Sequence, residues 1–450
     1  MASSMVRNGD ALSSASTKVM RHVIPIFLIM FIANYIDRVS VGFVNTYMET
    51  DLGISAAAYG LGSGLFFVGY AIFEVPSNML MQRFGARMWL TRIMITWGIV
   101  AAAMAFVRND TSFYILRFLL GAAEAGFFPG IILYFAQWLP QKDRGKAAAI
   151  ILSGAAFSSV IAGPLAGLLL SVRGFGFAGW QWMFLIEGGF SILLCFVCWF
   201  FLKSHIRDAD WLSEAEKSAL ETYMVDEQAE REASAGTARV SKLSLLKDPQ
   251  IVLFCCLDFA IQMTIYAVVF WLPTIIRKIG GLNDFQVGLY NAVPWLIAML
   301  AMYTFAVLSA KRGSQRAWVA LSLVIAALGL FASASASPMA SFIAICFAAI
   351  GFKAASSLFW PIPQAYLDVR VAGGVIALIN SVGNLGGFAA PTAFGFLQQH
   401  TGSVSGGLYG LGVTSLIAAG ACFFTRSRPI NRAVGAARLQ PFSRKPHSGA

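Results

Sequence analysis

Four charged side chains lie inside long apolar stretches of the sequence, where charge is unfavourable. Asp37 and Arg38 lie in the run IANYIDR, and Arg117 and Glu124 lie in RFLLGAAE. An ionisable group within a lipid-spanning helix costs roughly 2.5–3.5 kcal/mol on insertion scales, so such groups are usually buried, paired and functional. An arginine offers a planar fork that suits a carboxylate, and a carboxyl group removed from water holds its proton more readily. These residue types therefore predict that an anion and a proton bind together.

Helix geometry predicts that these four groups lie close together. Arg117 and Glu124 are seven residues apart, which is two helical turns, so they share a face. At about 1.5 Å per residue, Glu124 lies near the middle of its span, Arg117 about 10 Å further out, and Arg38 roughly 6 Å outside the centre of the first span. We expect one cavity if the two spans face each other. The alternative is that the charges form structural ion pairs, although Asp37 and Arg38 would pair poorly with each other because neighbouring residues point about 100° apart.

The second half of the sequence contains fewer buried charges. Asp258 and Lys353 both fall about 5 Å to the cytoplasmic side of the middle of their spans, and we expect them to pair, because a lone buried lysine is costly. Polar side chains that could complete a cavity are Tyr266, Trp360, Gln364, Asn380 and Asn384. The two asparagines lie four residues apart on one helix face, and helix-to-helix hydrogen bonding is an equally good explanation for them.

The composition indicates that lipid surrounds the chain. Apolar residues make up 58% of the 450 positions and charged residues 12%, whereas soluble domains carry about 25% charge. Windows of about 20 apolar residues, the length that crosses a bilayer, predict spans near 22–45, 60–81, 88–107, 111–134, 147–171, 179–202, 250–275, 287–309, 315–336, 339–364, 371–397 and 406–425. The predicted fold is therefore an all-α membrane protein with twelve transmembrane helices in two six-helix halves.

A polar segment separates the two sets of spans. Residues 203–249 hold 17 of the 55 Asp, Glu, Lys and Arg residues, and Ser213 with Glu216 forms the sequence pattern that begins a helix. Two halves joined by a linker are typical of secondary transporters. The predicted organisation is a cytoplasmic N-terminal segment, a first half, a cytoplasmic linker, a second half and a basic cytoplasmic tail, at residues 1–21, 22–202, 203–249, 250–426 and 427–450.

Loop charge predicts the orientation in the membrane. With the N-terminus inside, the short cytoplasmic loops carry nine basic residues: Arg83, Arg87, Lys142, Arg144, Lys146, Lys311, Arg312, Arg316 and Arg370. The external loops carry four, Arg108, Arg173, Arg277 and Lys278. The positive-inside rule therefore places both termini on the cytoplasmic side of an inner (plasma) membrane. The net charge of +11 then reflects attraction to anionic lipid rather than to nucleic acid.

Several classes of function lack support in the sequence. Cys195 and Cys198 mimic a metal-binding pair but lie in an apolar run, and the four histidines fall at span ends or in loops. We therefore expect no metal, no cofactor and no enzymatic activity. The linker and tail are too short for a signalling domain, which disfavours a ligand sensor. We also expect the protein to be a monomer.

Particular stretches of the sequence resemble the major facilitator superfamily, and within it the anion:cation symporter family. The resemblance covers nearly all the spans and is carried by YIDRVSVGF, FFVGYAIFEVPSN, RFLLGAAEAGFFPGIILY, GWQWMFLIEG, FWLPTII and INSVGNLGGFAAP. It implies proton-coupled import of an organic anion such as a sugar acid, a tartrate-like hydroxy acid or an aromatic acid. Exchange of organic anions and sodium coupling are the alternatives.

The resemblance also implies roles for individual residues. In similar galactonate carriers, the arginine matching Arg38 holds the substrate carboxylate, and tyrosines matching Tyr35 and Tyr70 contact substrate, as does the asparagine matching Asn384. The carboxylates matching Asp37 and Glu124 carry the proton, and the arginine matching Arg117 tunes the second of them.

Several positions depart from the pattern of that family. Gln82 and Ala310 stand where loop signatures of the superfamily usually carry an acid, so the usual latch between conformations is in doubt. Ala155 replaces a glutamine that binds sugar acids in galactonate carriers, which favours a less hydroxylated anion. Lys353 is also unusual, and holding a second carboxylate of a diacid is the alternative to its pairing with Asp258.

Overall fold

Helices make up nearly all of the computed structural model, which describes residues 2–234, 248–367 and 369–426. Twelve helical stretches are long and apolar enough to cross a membrane, and we number them as spans 1 to 12: Asp10–Leu52, Ala56–Phe84, Ala86–Phe106, Asp110–Trp138, Gln141–Leu170, Gly179–Phe201, Pro249–Arg277, Asp284–Arg312, Gln315–Ser335, Pro338–Tyr366, Val375–Thr401 and Ser405–Phe424. The predicted all-α fold of two six-helix halves is confirmed. The residue boundaries of the predicted domains stay a prediction, and the basic tail 427–450 lies outside the described residues.

Three spans that the sequence predicts as continuous are broken in the structure. Span 4 consists of helices Asp110–Glu124 and Phe127–Trp138, and span 10 of Pro338–Phe359 and Pro361–Tyr366. Span 11 consists of the later part of the helix Val369–Asn384 and of the helix Gly386–Thr401. A glycine or proline stands within two residues of the last helical residue before each break: Gly126, Pro361 and Gly386. A hydropathy average does not detect these single residues. Span 1, by contrast, belongs to one helix, Ala2–Leu52, that extends well beyond the predicted 22–45.

Local sequence signals set where the helices begin. Asn109 and Ser112 exchange hydrogen bonds at the start of span 4, with the Ser112 amide donating to Asn109 Oδ1 over 2.9 Å. Asn283 and Gln286 form the same reciprocal cap on span 8. Such caps satisfy amide groups that have no partner within the helix. Outside the spans lie the helix Glu214–Ser234 and the one-turn piece Ile206–Asp208, and spans 3 and 12 end in the one-turn pieces Met104–Phe106 and Cys422–Phe424.

Both ends of the described chain lie at one end of the helix bundle. Lys18 bonds Glu216 of the helix Glu214–Ser234, which follows span 6. Gln250, at the start of span 7, bonds the backbone of Phe424 and Arg426. We call this the linker end, and the opposite end the distal end.

The two halves meet at the distal end. Tyr47, about 40 Å along span 1 from Lys18, donates a hydrogen bond to the Asp284 carboxylate of span 8 over 2.6 Å. Gly163 of span 5 packs on Gly288 of span 8 so closely that a Cβ on either would collide with the backbone of the other. Small residues permit such close approach of helices. The contacts therefore bring spans of the two halves together on the side away from the linker.

The helix Glu214–Ser234 is docked onto the first half. Ser14 and Lys18 donate to the Glu216 carboxylate over 2.6 and 2.8 Å, and Arg144 holds both oxygens of Glu227 at 2.6 and 2.8 Å. The Ser213 amide also donates to Glu216 over 2.7 Å. The predicted helix start at Ser213 and Glu216 is confirmed, and the same carboxylate anchors the extended N-terminal end of span 1.

Glu216→Ala should loosen this docked helix. Burial opposes ionisation of Glu216, but hydrogen bonds from Lys18, Ser14 and Ser213 outweigh it and lower its pKa to about 2. A lowered pKa means that the stabilisation is complete above the ordinary value near 4.5 and is lost as the pH falls toward 2. We expect E216A to lower the Tm of the purified protein by a few degrees at pH 7 and pH 5, and by less at pH 3.

Glu214→Ala is the matched control, because the Glu214 side chain is 90% exposed on the same helix. Equal melting temperatures for the two variants at pH 7 would show that Glu216 does not anchor the helix.

Candidate anion and proton site

Glu124 lies where span 4 breaks. It is the last residue of the helix Asp110–Glu124, and Gly126 follows with a φ of 86°, in the left-handed region that favours glycine. Ser77 of span 2 donates to the carbonyl of Ala125 over 2.6 Å, and Trp89 donates to Ser77 over 2.9 Å. The backbone carbonyl at the break is therefore satisfied by Ser77, and this contact holds Glu124 at a fixed position in the bundle.

The Glu124 carboxylate pairs with span 1. Its Oε2 accepts hydrogen bonds from Asn34 over 2.8 Å and from Arg38 Nη2 over 2.9 Å. The Glu124 side chain is fully buried and that of Arg38 is 16% exposed. Within the described chain, Glu124 Oε1 and Arg38 Nε have no hydrogen-bond partner. The predicted meeting of spans 1 and 4 is thus present, with bonding capacity left over on both charged groups.

Aromatic rings surround the two arginines. The guanidinium carbon of Arg38 lies 5.0 Å from the centre of the Phe66 ring and 5.3 Å from that of Tyr70. Arg117, fully buried, also lies 5.0 Å from Phe66, and its Nη2 donates to the Ser63 carbonyl over 3.3 Å. Among the described residues Arg117 forms no salt bridge, so it adds positive potential near Glu124 without a direct contact to it.

Asp37 points to a different side of span 1. Its Oδ2 accepts a hydrogen bond from the Trp97 indole of span 3 over 2.9 Å, and its Oδ1 is buried without a partner in the described structure. Asp37 still interacts electrostatically with Glu124, Arg117 and Arg38. The four predicted residues therefore form one charged cluster, but Asp37 and Arg38 face different neighbours, as their positions on the helix predict.

The other residues predicted to contact substrate come from several spans. Tyr35 lies beside Ser159 of span 5, and Tyr266 of span 7 lies next to Arg38. Trp360 is half-buried at the break in span 10, and Asn380 and Asn384 are half-buried at the end of the helix that precedes the break in span 11. Gln364 is exposed. Tyr70 and Tyr266 are thus beside Arg38, whereas a contact of Trp360, Asn380 and Asn384 with the same site stays a prediction.

The predicted ion pair between Asp258 and Lys353 is wrong for this structure. Asp258 is buried against Gly383 of span 11, where even a methyl group would collide with its carboxylate. Lys353 lies instead over the Trp295 ring of span 8, with Nζ 5.4 Å from the ring centre. The two side chains leave their helices toward different neighbours, which equal depth in the membrane does not reveal.

Two residues beside the charged cluster, and a third where spans 5 and 8 meet, are not identified by the sequence analysis. Glu187 of span 6 is buried and contacts Ser40, Trp97 is the donor to Asp37, and Asn291 of span 8 has a buried Oδ1 without a partner in the described chain. Glu187 could have been found, because it is a lone carboxylate inside the apolar run GWQWMFLIEG. A tryptophan or asparagine in a span carries no comparable signal.

Twelve spans in two halves, with charged groups buried between the helices, define the architecture of a secondary transporter. Residues 26–391 match the family model described as Major Facilitator Superfamily. The chain belongs to the major facilitator superfamily, and it is therefore a multi-pass membrane transporter rather than an enzyme.

Similar proteins agree with this assignment. A candidate tartrate transporter of Agrobacterium vitis is 42% identical over 91% of this chain and 95% of its own length. A quinolone resistance transporter of Acinetobacter baumannii is 39% identical over 88% and 91%. The crystal structure of a bacterial homologue of the human lysosomal transporter Spinster, inward-facing and occupied, covers 90% of this chain and 96% of its own, with a TM-score of 0.75 and 16% identity. That likeness shows the fold.

Gly126→Ala should disturb the break that positions Glu124. A residue with a Cβ is strained by about 1–2 kcal/mol in the left-handed region, and here the Cβ would also collide with the Ser77 hydroxyl. We expect G126A to lower the Tm by a few degrees and to reduce transport. The control Gly145→Ala lies in a helix with open space around it and should leave the Tm unchanged or raise it. Equal behaviour of the two variants would contradict this role of the break.

Proposed function

We propose that this protein imports an organic carboxylate anion together with protons by alternating access. The observation that carries the proposal is the contact between Arg38 and Glu124, a buried charge pair in which each partner keeps one unused polar atom. Arg38 can therefore exchange the Glu124 carboxylate for the carboxylate of a bound substrate. Arg38 is the anion-binding group, Glu124 and Asp37 bind protons, and Arg117 tunes Glu124 through its nearby charge.

Charge balance would couple the two passengers. An unpaired guanidinium costs several kcal/mol in a low-dielectric interior, so Arg38 needs an anion at all times. While Glu124 is ionised, it supplies that anion. When Glu124 takes up a proton it becomes neutral, and a substrate carboxylate replaces it on the planar fork of Arg38. Proton and anion therefore bind cooperatively, and deprotonation returns Glu124 to Arg38 and expels the anion.

The contacts between the halves support a direction for this cycle. The halves meet at the distal end, through Tyr47 and Asp284 and through Gly163 and Gly288. The loop charges of the sequence favour a cytoplasmic linker end, with both termini inside an inner (plasma) membrane. On this assignment the conformation is inward-facing, and the contact between Arg38 and Glu124 belongs to the state that releases substrate. We propose that a single chain completes the cycle as a monomer.

The substrate we propose is a small hydroxylated or aromatic carboxylate. A relative named for tartrate supports an acid with two carboxylates, and Lys353, which has no acidic partner in the described structure, could hold the second one. The relative named for quinolone resistance supports a second candidate, export of a larger carboxylate-bearing aromatic compound. A thermal-shift screen of the purified protein against tartrate, sugar acids, aromatic acids and quinolones separates the two.

Glu124→Gln should abolish uphill transport but leave exchange intact. The neutral amide has the shape of the protonated acid, so Arg38 remains free for the anion while no proton can be released. In proteoliposomes with an imposed pH gradient, we expect wild-type protein to accumulate radiolabelled tartrate, or the carboxylate that the screen returns, and E124Q to reach only equilibrium. Counterflow of the labelled anion should stay within a few-fold of wild type.

Proton symport would be contradicted if E124Q still concentrated the anion against its gradient. A sodium gradient that drives uptake in place of the pH gradient would show sodium coupling. Uptake that depends only on a preloaded anion would show exchange.

Arg38→Lys should weaken anion binding although the charge is kept. Lysine lacks the planar fork and the face that packs over Phe66 and Tyr70. We expect at least a tenfold higher Kd for the carboxylate, measured by calorimetry or thermal shift. Arg92→Lys is the control, since Arg92 packs over Trp89 of span 3, outside the charged cluster. An unchanged affinity of R38K for the carboxylate would show that Arg38 does not bind the anion.

A further inference from the structure

Span 6 contributes a third buried carboxyl group, which the mechanism above does not use. Glu187 is 7% exposed, within the helix Gly179–Phe201. Its Oε1 lies 2.7 Å from the Ser40 hydroxyl of span 1, and its Oε2 has no partner in the described chain. A structural carboxylate would normally use both oxygens, so this group is poorly explained by packing alone.

The contacts of Ser40 indicate which form of Glu187 fits this geometry. The Ser40 oxygen lies 2.9 Å from the Ile36 carbonyl and 2.7 Å from Glu187 Oε1. A hydroxyl group has one hydrogen and can donate to only one of them. Both contacts are hydrogen bonds when Glu187 is protonated and donates to Ser40, which in turn donates to Ile36. When Glu187 is ionised, Ser40 has to turn its hydrogen away from Ile36.

Glu187 contacts the face of span 1 that also carries Asp37. Ser40 follows Asp37 by three residues, which places the two side chains about one helical turn apart. Asp37 is the charged group that interacts with Glu187 electrostatically. Two carboxylates that interact in a low-dielectric interior do not both ionise readily.

Among the other charged groups on the elements packed against span 6, Asp51 of span 1 contacts span 6 itself, where it accepts a hydrogen bond from Trp180, two helical turns from Glu187. Arg92 of span 3 lies over the Trp89 ring. The remaining charged groups are directed elsewhere. Arg38 bonds Glu124, and Arg87 of span 3 bonds the Trp199 carbonyl near the linker end. In span 5 the charged residues stand in its first turns at the linker end, where Arg144 holds Glu227. Cys195, a titratable group of span 6 itself, lies two turns beyond Glu187. Of these charged groups, Asp37 is the one that interacts electrostatically with Glu187.

We propose that Glu187 and Asp37 form a second proton-binding site, in which the two carboxyl groups hold one proton in common. This inference rests on the proton symport proposed above and adds a group on the opposite side of span 1 from Arg38. When the proton leaves Glu187, it passes to the Asp37 carboxylate or to water, and Ser40 turns its hydrogen onto Glu187 Oε1. One proton moves and no covalent bond between heavy atoms changes.

Glu187→Gln and Ser40→Ala test this site in opposite directions. E187Q removes the charge that makes Asp37 hold its proton, so uptake should need more acid, with the half-maximal pH lower by about one unit, the size expected for interacting buried carboxylates. S40A removes the donor to ionised Glu187, and because hydrogen bonds to charged groups are the stronger ones, the half-maximal pH should rise by a smaller amount. The probe is radiolabelled tartrate, or the carboxylate returned by the screen, taken up into proteoliposomes across a pH series.

Ser191→Ala is the matched control. Ser191 is a buried serine of span 6 whose hydroxyl donates to the backbone carbonyl of Glu187 and not to its carboxyl, so the half-maximal pH should match wild type. Counterflow measured first shows that each variant is folded and active.

The inference is overturned if E187Q and S40A both keep the wild-type half-maximal pH. Should E187Q fail to fold, S40A decides alone, and a wild-type profile in it would refute the shared site. Loss of uphill uptake in E124Q together with wild-type profiles here would refute only this inference. Retained uphill uptake in E124Q would refute the proton symport on which it rests.

Discussion

A guanidinium group buried between helices must be neutralised, and this constraint organises the first half of the protein. Arg38 is satisfied by Glu124, and Glu124 can be there because span 4 breaks directly after it. The break depends in turn on Gly126 and on Ser77, which bonds the Ala125 carbonyl. In a low-dielectric interior each of these contacts is worth more than it would be in water, and each unsatisfied one costs more. The site is thus held by a chain of necessary partners.

Span 1 presents two polar faces to the bundle. Arg38 faces span 4 and the aromatic rings of span 2, whereas Asp37 and Ser40 face Trp97 of span 3 and Glu187 of span 6. A rotation or tilt of this helix would change both environments together. We infer that anion binding on one face and proton binding on the other are connected through the rigid helix between them.

The distal contacts join the two halves on the side away from the linker. Glycines of spans 5 and 8 allow backbone-to-backbone contact between the halves. Tyr47 of span 1 donates a hydrogen bond to the carboxylate of Asp284 in span 8. The helix that carries Asp37 and Arg38 therefore also takes part in the contact between the halves at the distal end. At the linker end, Lys18 of the same helix holds Glu216, which ties the connecting segment to the first half.

The sequence by itself determined the number of spans, the two halves, the start of the linker helix and the presence of buried charge, because hydropathy, helix capping and the cost of ionised groups in lipid act locally. It also placed Arg38 and Glu124 at compatible depths. It could not predict the break after Glu124, the donor Trp97, or the separation of Asp258 from Lys353, since depth along a helix does not specify which neighbour a side chain faces. Only the packing of the helices decided that Glu187 contacts Ser40, because the neighbour that a side chain faces depends on how the other helices are arranged around its own.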